Sequence, residues 1–462
     1  MAPIRISTAA ACLLGLAACR TPYTEPDYTR TQDEIRSSTG AEHVFHPSGE
    51  AEATQRRVAE LLADGLALSE AVELGMLNNP ALQAAFHSIG MAHADRVQAG
   101  LLANPSLSLG LRFPTSGGAP EWEAGLFAGL LDLWQVPKRE RVAESALQRR
   151  VLEVAYQATQ LAGAIRVAYI ESTSTQRLVD IAKQNRESAR KLHELASARL
   201  DAAAGTVIEA NLARIDLLDT EIALGDAKLA AQDARLDLLL ELGFGPHESR
   251  LRTMGTAAAV RPTLPSATQL EDLAMVRRLD IRAAEEAVLQ AEAEVDRQRG
   301  LARQNFDVGV AAERDGDWSL GPGLQLDLPL FDRNQAQVAK AIEALALRQA
   351  TLQASRLAVA REVSSALART EGSWDALAIY RNDLLPYSEE ALAKAHESYQ
   401  LGKTTILPAL EAQRQLLAAR SDYARRLLRA ATALSDLESA TGTPRELLFA
   451  HPVTTTRSHH ED

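Results

Sequence analysis

Hydrophobic and polar positions change their period several times along this chain, and each change marks an element. From Pro105 to Phe113, Leu107, Leu109, Leu111 and Phe113 alternate with Ser106, Ser108, Gly110 and Arg112. A period of two gives a strand with one apolar face and one polar or small face. After a Pro- and Gly-rich loop at 114–120, the stretch from Glu121 to about Leu133 repeats it, with Trp122, Ala124, Leu126, Ala128 and Leu130 on one side. Phe306–Ala312 and Leu320–Leu328 form a second pair around the turn Arg314-Asp315-Gly316-Asp317. Hairpins are therefore expected at 105–133 and 304–328. Helical periodicity fills most of the rest: Ser69 to about Leu102 with a break at Asn78-Asn79-Pro80, Pro137 to about Leu200, Thr206–Leu242, Leu270–Leu301, Asn334 to about Leu401, and Thr405–Thr441. The last strand passes Pro329 and the capping residues Asp332 and Asn334, then enters a helix of roughly seventy residues, about 100 Å at 1.5 Å per residue.

The order helix, hairpin, long helix, helix occurs twice. Pro80 and Asp280, Gly100 and Gly300, and Arg214 and Arg414 correspond at one offset, and Leu131-Asp132-Leu133 matches Leu326-Asp327-Leu328. The expected organisation is a leader at 1–18, a tether at 19–66, a first repeat at 67–243, a linker at 244–268, a second repeat at 269–441 and a tail at 442–462. The tether carries little period and reads as extended chain that packs against the body. The two shorter helices of a repeat add up to about one long helix, so end to end they form a second column beside it.

Composition sharpens this picture. Aromatics are only 4%, against many Ala, Leu, Arg, Glu and Gln residues, as in long helices and coiled coils. The run Ile6–Ala18 is too short to span a bilayer as a helix and reads as a secretory signal. Leu16-Ala17-Ala18-Cys19 matches a bacterial lipobox, which places a lipid on Cys19; ordinary cleavage after Ala-x-Ala is the alternative. Of two cysteines, Cys12 lies in the leader, so no internal disulfide or thiolate zinc site is expected. A net charge of −12 argues against nucleic acid as a partner.

Each strand approaches the 9–11 residues that cross an outer membrane, and open sheet edges are not tolerated in lipid. Transmembrane barrels start at eight strands, so four must be completed by other copies. Phe113, Trp122, Trp134, Phe306, Trp318 and Phe331 sit in or beside the hairpins of a chain otherwise poor in aromatics, as an interfacial girdle requires. A soluble β-domain with its apolar faces packed together is the competing reading.

The chain resembles the TolC-type outer-membrane efflux proteins, and more closely their lipid-anchored branch. The resemblance covers essentially all of the mature chain. It rests on Asn79-Pro80-Ala81-Leu82, Ala99-Gly100-Leu101-Leu102-Ala103-Asn104-Pro105, Leu328-Pro329-Leu330-Phe331-Asp332-Arg333 and Tyr399-Gln400-Leu401-Gly402-Lys403-Thr404-Thr405, in this order and at repeat spacing. It implies a fold that is mainly α with a small β membrane part: a helical tunnel plus four strands per chain, closing a 12-stranded barrel as a homotrimer. It further implies a lipid-anchored protein of the outer membrane, a passive duct without catalysis or cofactor, whose periplasmic end meets an adaptor protein and an inner-membrane pump. By the same resemblance Glu209, Tyr399 and Glu411 belong to the periplasmic aperture, while Pro408 replaces an acidic residue usual there. A solvated helix face is the alternative for both glutamates.

Other functions find little support. No Ser–His–Asp context, phosphate loop or paired metal motif stands out. His87 and Met91 share a helix face but His93 points elsewhere, so packing is expected there rather than metal binding. A type I protein-secretion duct and a surface coiled-coil trimer remain as alternatives. Cargo is not legible; a preference for metal efflux rests on family likeness of Asn79–Pro105.

Overall fold

The computed structural model describes residues 24–113, 115, 117, 120–255, 261–302, 306–315, 317–326 and 330–449. Their elements run α1 (Glu25–Thr39), α2 (Ala51–Leu61), α3 (Leu68–Asn78), α4 (Pro80–Ala99), β1 (Ser106–Arg112), β2 (Glu121–Gly129), α5 (Asp132–Asp201) and α6 (Val207–Glu241). The second half gives α7 (Ala267–Arg277), α8 (Leu279–Leu301), β3 (Phe306–Asp315), β4 (Asp317–Leu326), α9 (Gln335–Ile379), a π-turn (Tyr380–Leu384), α10 (Leu385–Gln400), α11 (Leu407–Thr441) and α12 (Arg445–Leu448). Helix α5 has 70 residues, about 105 Å of continuous helix. No helix among the described residues is long and apolar enough to cross a membrane.

Two compact units are distinguished. One comprises 24–30, 85–153 and 282–353, the other 31–84, 154–281 and 354–449. The first holds the sheet, antiparallel in the order β1-β2-β3-β4. Its register aligns the expected apolar faces: Leu107 opposes Leu126, Leu126 opposes Val310, and Val310 opposes Pro322. Leu109, Ala124, Ala312 and Leu320 form the next row. The other face is small or polar, with Ser108, Gly125, Ala311 and Gly321 in one row. Phe127 is the exception there. Its ring lies where a Cβ on Gly309 or Gly323 would stand, at 2.5 and 2.7 Å. At the foot of the strands, Arg139 donates to the carbonyls of Ala99 and Leu101, and Asn334 Nδ2 to the Gln298 carbonyl at 2.7 Å.

The second unit shows how one position serves both repeats. Asn79 breaks the α3–α4 helix, its Oδ1 accepts from Ala81 N, and its Nδ2 reaches the Glu241 carbonyl at the end of α6. Arg278 breaks the second repeat at the same place. It donates to the Ala440 carbonyl near the end of α11, and its charge is met by Asp280 and Glu362.

Several expectations need correction. The stretch taken as an extended tether forms helices α1 and α2. Buried Tyr28, Thr31, Gln32, Ile35, Ser38 and Thr39 follow helical spacing, but four of them are polar, so hydrophobicity hid the period. Gln32 Nε2 donates to Val44 O at 2.8 Å, and the Ser38 and Thr159 hydroxyls lie 3.1 Å apart. Strand β2 stops at Gly129 rather than near Leu133. Asp132 starts α5 there, accepting from Arg139 at 2.9 Å and from Ala103 N, so Pro137 lies inside the helix and Trp134 in its first turn. The second repeat's first helix, expected whole, is broken at Arg278, whose ψ of 122° is extended. Strand β3 runs to Asp315, beyond Ala312. The second long helix carries the π-turn, where Leu385 N bonds Tyr380 O five residues back; Pro386, with no N–H to give, follows immediately. Cys19, the 1–18 leader, Leu328 and residues 450–462 of the tail lie outside the described residues.

Candidate functional site at the paired helix turns

The turns between α5 and α6 and between α10 and α11 come together in the second unit. Helix α5 ends at Asp201, and Ala203 takes a left-handed φ of 56°; α10 ends at Gln400, and Gly402 takes φ 67°. Thr206 and Glu209 then form a reciprocal cap: Thr206 Oγ1 accepts from Glu209 N at 3.2 Å, and Glu209 Oε2 accepts from Thr206 N at 3.1 Å. The second repeat starts α11 with Pro408 in the first turn, where the missing N–H costs nothing.

One side chain clips the turns to each other. Arg199 donates from Nη1 to the Tyr399 carbonyl and from Nη2 to the Ala204 carbonyl, both at 2.9 Å, and lies 4.8 Å over the Tyr399 ring. Beneath it Leu192, Ala196, Ala213, Tyr399, Ile406 and Leu410 form a closed apolar cluster. Tyr399 is 0% exposed, and among the described residues its hydroxyl has no partner. In this conformation the ring fills the space between the helices. Burial pushes its hydroxyl pKa up, with Glu209 adding to the shift and Arg199 opposing it.

The two glutamates differ. Glu209 is half-buried and committed to its cap, whereas Glu411 is exposed and accepts from Gln415 at 3.0 Å. Asp216 is a third acid that hydrophobic patterning missed. Its carboxylate is buried between the repeats, bound by Gln413 Nε2 at 2.8 Å and Arg414 Nε at 3.2 Å. Burial raises its pKa, Arg414 pulls it back, and Asp219 adds to the rise. The pairing of Arg214 with Arg414 in the repeat was the available signal, since a charge kept at the core edge needs a counter-charge. Next to the cluster a groove of about 570 Å³ is lined by Lys191, Glu389, His396 and Arg420, with Glu389 and Arg420 paired at 2.9 Å. Burial pushes the His396 pKa down.

His93 Nδ1 lies 2.7 Å from Asp27 Oδ2, while His87 and Met91 are exposed, so these residues do not converge. Glu42, His43 and Glu73 do place one donor atom each within 4.8 Å of one another, but Glu73 is already bound by Arg57 at 2.8 Å.

Residues 72–243 and 270–443 match the outer membrane efflux protein family, one segment per repeat. The chain belongs to that family. Its members are channels rather than enzymes, and they reside in the outer membrane. The cobalt-zinc-cadmium resistance protein CzcC of Cupriavidus metallidurans is 27% identical over 270 residues, 56% of this chain and 63% of that protein. The fusaric acid resistance protein FusA of Burkholderia cepacia is 30% identical over 231 residues, 46% of this chain and 42% of that protein. Each alignment thus spans less than two thirds of the relative. Among solved structures, CusC superposes with a TM-score of 0.71 at 18% identity, covering 83% of this chain and 93% of that one. VceC of Vibrio cholerae does so at 0.70 and 18%, covering 82% and 96%. The fold, mainly α with a small antiparallel sheet, is shared with these channels.

Proposed function

We propose that three copies of this efflux protein assemble into a passive duct, anchored through a lipid on Cys19, that exports metal ions or drugs received from a periplasmic adaptor and an inner-membrane pump. One observation carries the reading. Four strands align their apolar sides into a continuous exposed face, and among the described residues the edges of β1 and β4 have no partner. In lipid such edges must be paired by further copies; two would give eight strands and three twelve, and the family resemblance favours twelve. The aromatics support the same placement. Phe113, Trp122 and Trp318 cluster at the hairpin ends, Trp134, Phe306 and Phe331 at the helix ends. Phe306 and Arg314, opposite Trp122, are about 27 Å apart along the strand, or about 20 Å across a bilayer at the usual tilt. The names of CzcC and FusA favour metal ions or small drugs as cargo. Glu411, with Glu209 behind it in its cap, is the acidic group of the narrow mouth, repeated by threefold symmetry.

The test is insertion and conductance. Leu109, 75% exposed at mid-strand, becomes Arg. That change should cost about 2–4 kcal/mol in each copy and abolish the trimer band and channel activity in planar bilayers. A variant that inserts and conducts like the parent would overturn the lipid-facing assignment. Loss of palmitate labelling in Cys19→Ser, with labelling of the parent, tests the anchor.

A further inference from the structure

A second cavity, of about 260 Å³, lies in the second unit away from the helix turns. Leu68, Ile170, Met254, Trp374, Leu427 and Leu434 give it an apolar wall. Polar groups join that lining: the Ser174 and Ser435 hydroxyls, the Trp374 indole N–H, Arg445, and the Tyr169 hydroxyl, which donates to the Leu66 carbonyl at 2.8 Å. The serines are 6% and 4% exposed, and among the described residues neither hydroxyl has a hydrogen-bond partner. Arg445 is half-buried, and among the described residues its guanidinium has neither ion pair nor hydrogen bond. Trp374 Nε1 in the same wall is buried and has no partner among the described residues, which is uncommon and costly, and Arg445 places a positive charge beside that wall.

We infer that this cavity binds an aliphatic carboxylate, its chain against the apolar wall and its carboxylate held by Arg445 and the two serine hydroxyls. The chemistry is complementary in each part. Guanidinium is the side chain best suited to a carboxylate, and hydroxyls donate to the remaining lone pairs. Apolar walls with a few convergent polar groups are the usual make-up of a small-molecule site. At about 30 Å³ per heavy-atom group, near the share of a water in the liquid, the cavity holds roughly eight or nine groups, which sets octanoate as the probe.

Trp374 provides the readout, since it is 8% exposed while Trp122, Trp134 and Trp318 are exposed. With those three replaced by Phe, the full-length protein in nanodiscs carries Trp374 as its sole tryptophan and is titrated with octanoate and with octanol. A saturable change in emission is expected for octanoate, at least tenfold tighter than for octanol. Arg445→Gln should weaken octanoate at least tenfold and leave octanol unchanged, and Ser174→Ala with Ser435→Ala should weaken octanoate further. Equal affinity for the two probes, no effect of Arg445→Gln, or no saturable signal would each overturn the inference. Unchanged thermal unfolding of each variant, a condition for counting its result, separates loss of binding from loss of fold; a variant that fails it is replaced by Arg445→Lys, which should retain octanoate preference.

Discussion

Gly323 and Phe127 offer a direct test of the sheet. A Cβ on Gly323 would lie 2.7 and 2.9 Å from Cε1 and Cζ of Phe127, closer than carbon atoms pack. Overpacking of this kind costs about 1–3 kcal/mol, and replacing glycine within a strand returns roughly 0.5–1 kcal/mol, so Gly323→Ala should destabilise by about 1–2 kcal/mol. Leucine lacks both clashing atoms. Phe127→Leu should therefore relieve the clash, and the double variant should be more stable than the sum of the single effects by about 1 kcal/mol or more. Gly309→Ala is the control, because its Cβ would meet the Leu126 carbonyl at 2.2 Å, and trimming Phe127 cannot move a ladder carbonyl. Urea denaturation of the reconstituted protein, read as the fraction keeping folded mobility in cold SDS gels, supplies the three comparisons. If Gly323→Ala and Phe127→Leu add within about 0.5 kcal/mol, the ring does not cover Gly323 and the β2–β3–β4 register is wrong.

The helix turns yield three more predictions. Ala203→Gly removes a left-handed alanine and should stabilise by about 1 kcal/mol in thermal unfolding, whereas Gly402→Ala should do the reverse. For Asp216 the raised pKa means the folded state holds its proton more tightly than the unfolded chain. Its contribution to stability is thus complete below the ordinary value of 3.8 and is lost as pH rises through the raised one. Asp216→Asn should be as stable as the parent, or more so by about 1 kcal/mol, at pH 7, and the parent should gain on it as the pH falls; parallel stability profiles would refute the burial argument. Glu209→Gln with Glu411→Gln should lower cation selectivity in planar bilayers, Glu411→Gln supplying most of the change because its carboxylate is the exposed one. Unchanged selectivity in the intact trimer would make both residues solvated helix surface.

Periodicity alone determined the strands, the long helices and their twofold recurrence, because alternation and helical spacing are local properties. Leu107, Leu109, Val308, Val310 and Leu324 could be placed on one face without knowing their neighbours. Arg278 shows where local reading stops. Nothing in Arg278-Leu279-Asp280 breaks a helix by propensity; the break exists because the guanidinium has Asp280, Glu362 and the Ala440 carbonyl to bind. The same holds for α1, whose buried Thr31, Gln32, Ser38 and Thr39 look like solvent-facing residues until their partners are present. At the paired turns the glycines and Tyr399 were visible as a motif, but not Arg199, which acts by reaching a carbonyl two hundred positions away. Phe127 sits on the small-residue face for a related reason: glycines from two other strands leave the room that its ring fills. Hydrophobic spacing decides which face of an element is buried, whereas a buried polar group or a ring over glycine is decided by the groups that tertiary structure brings opposite it.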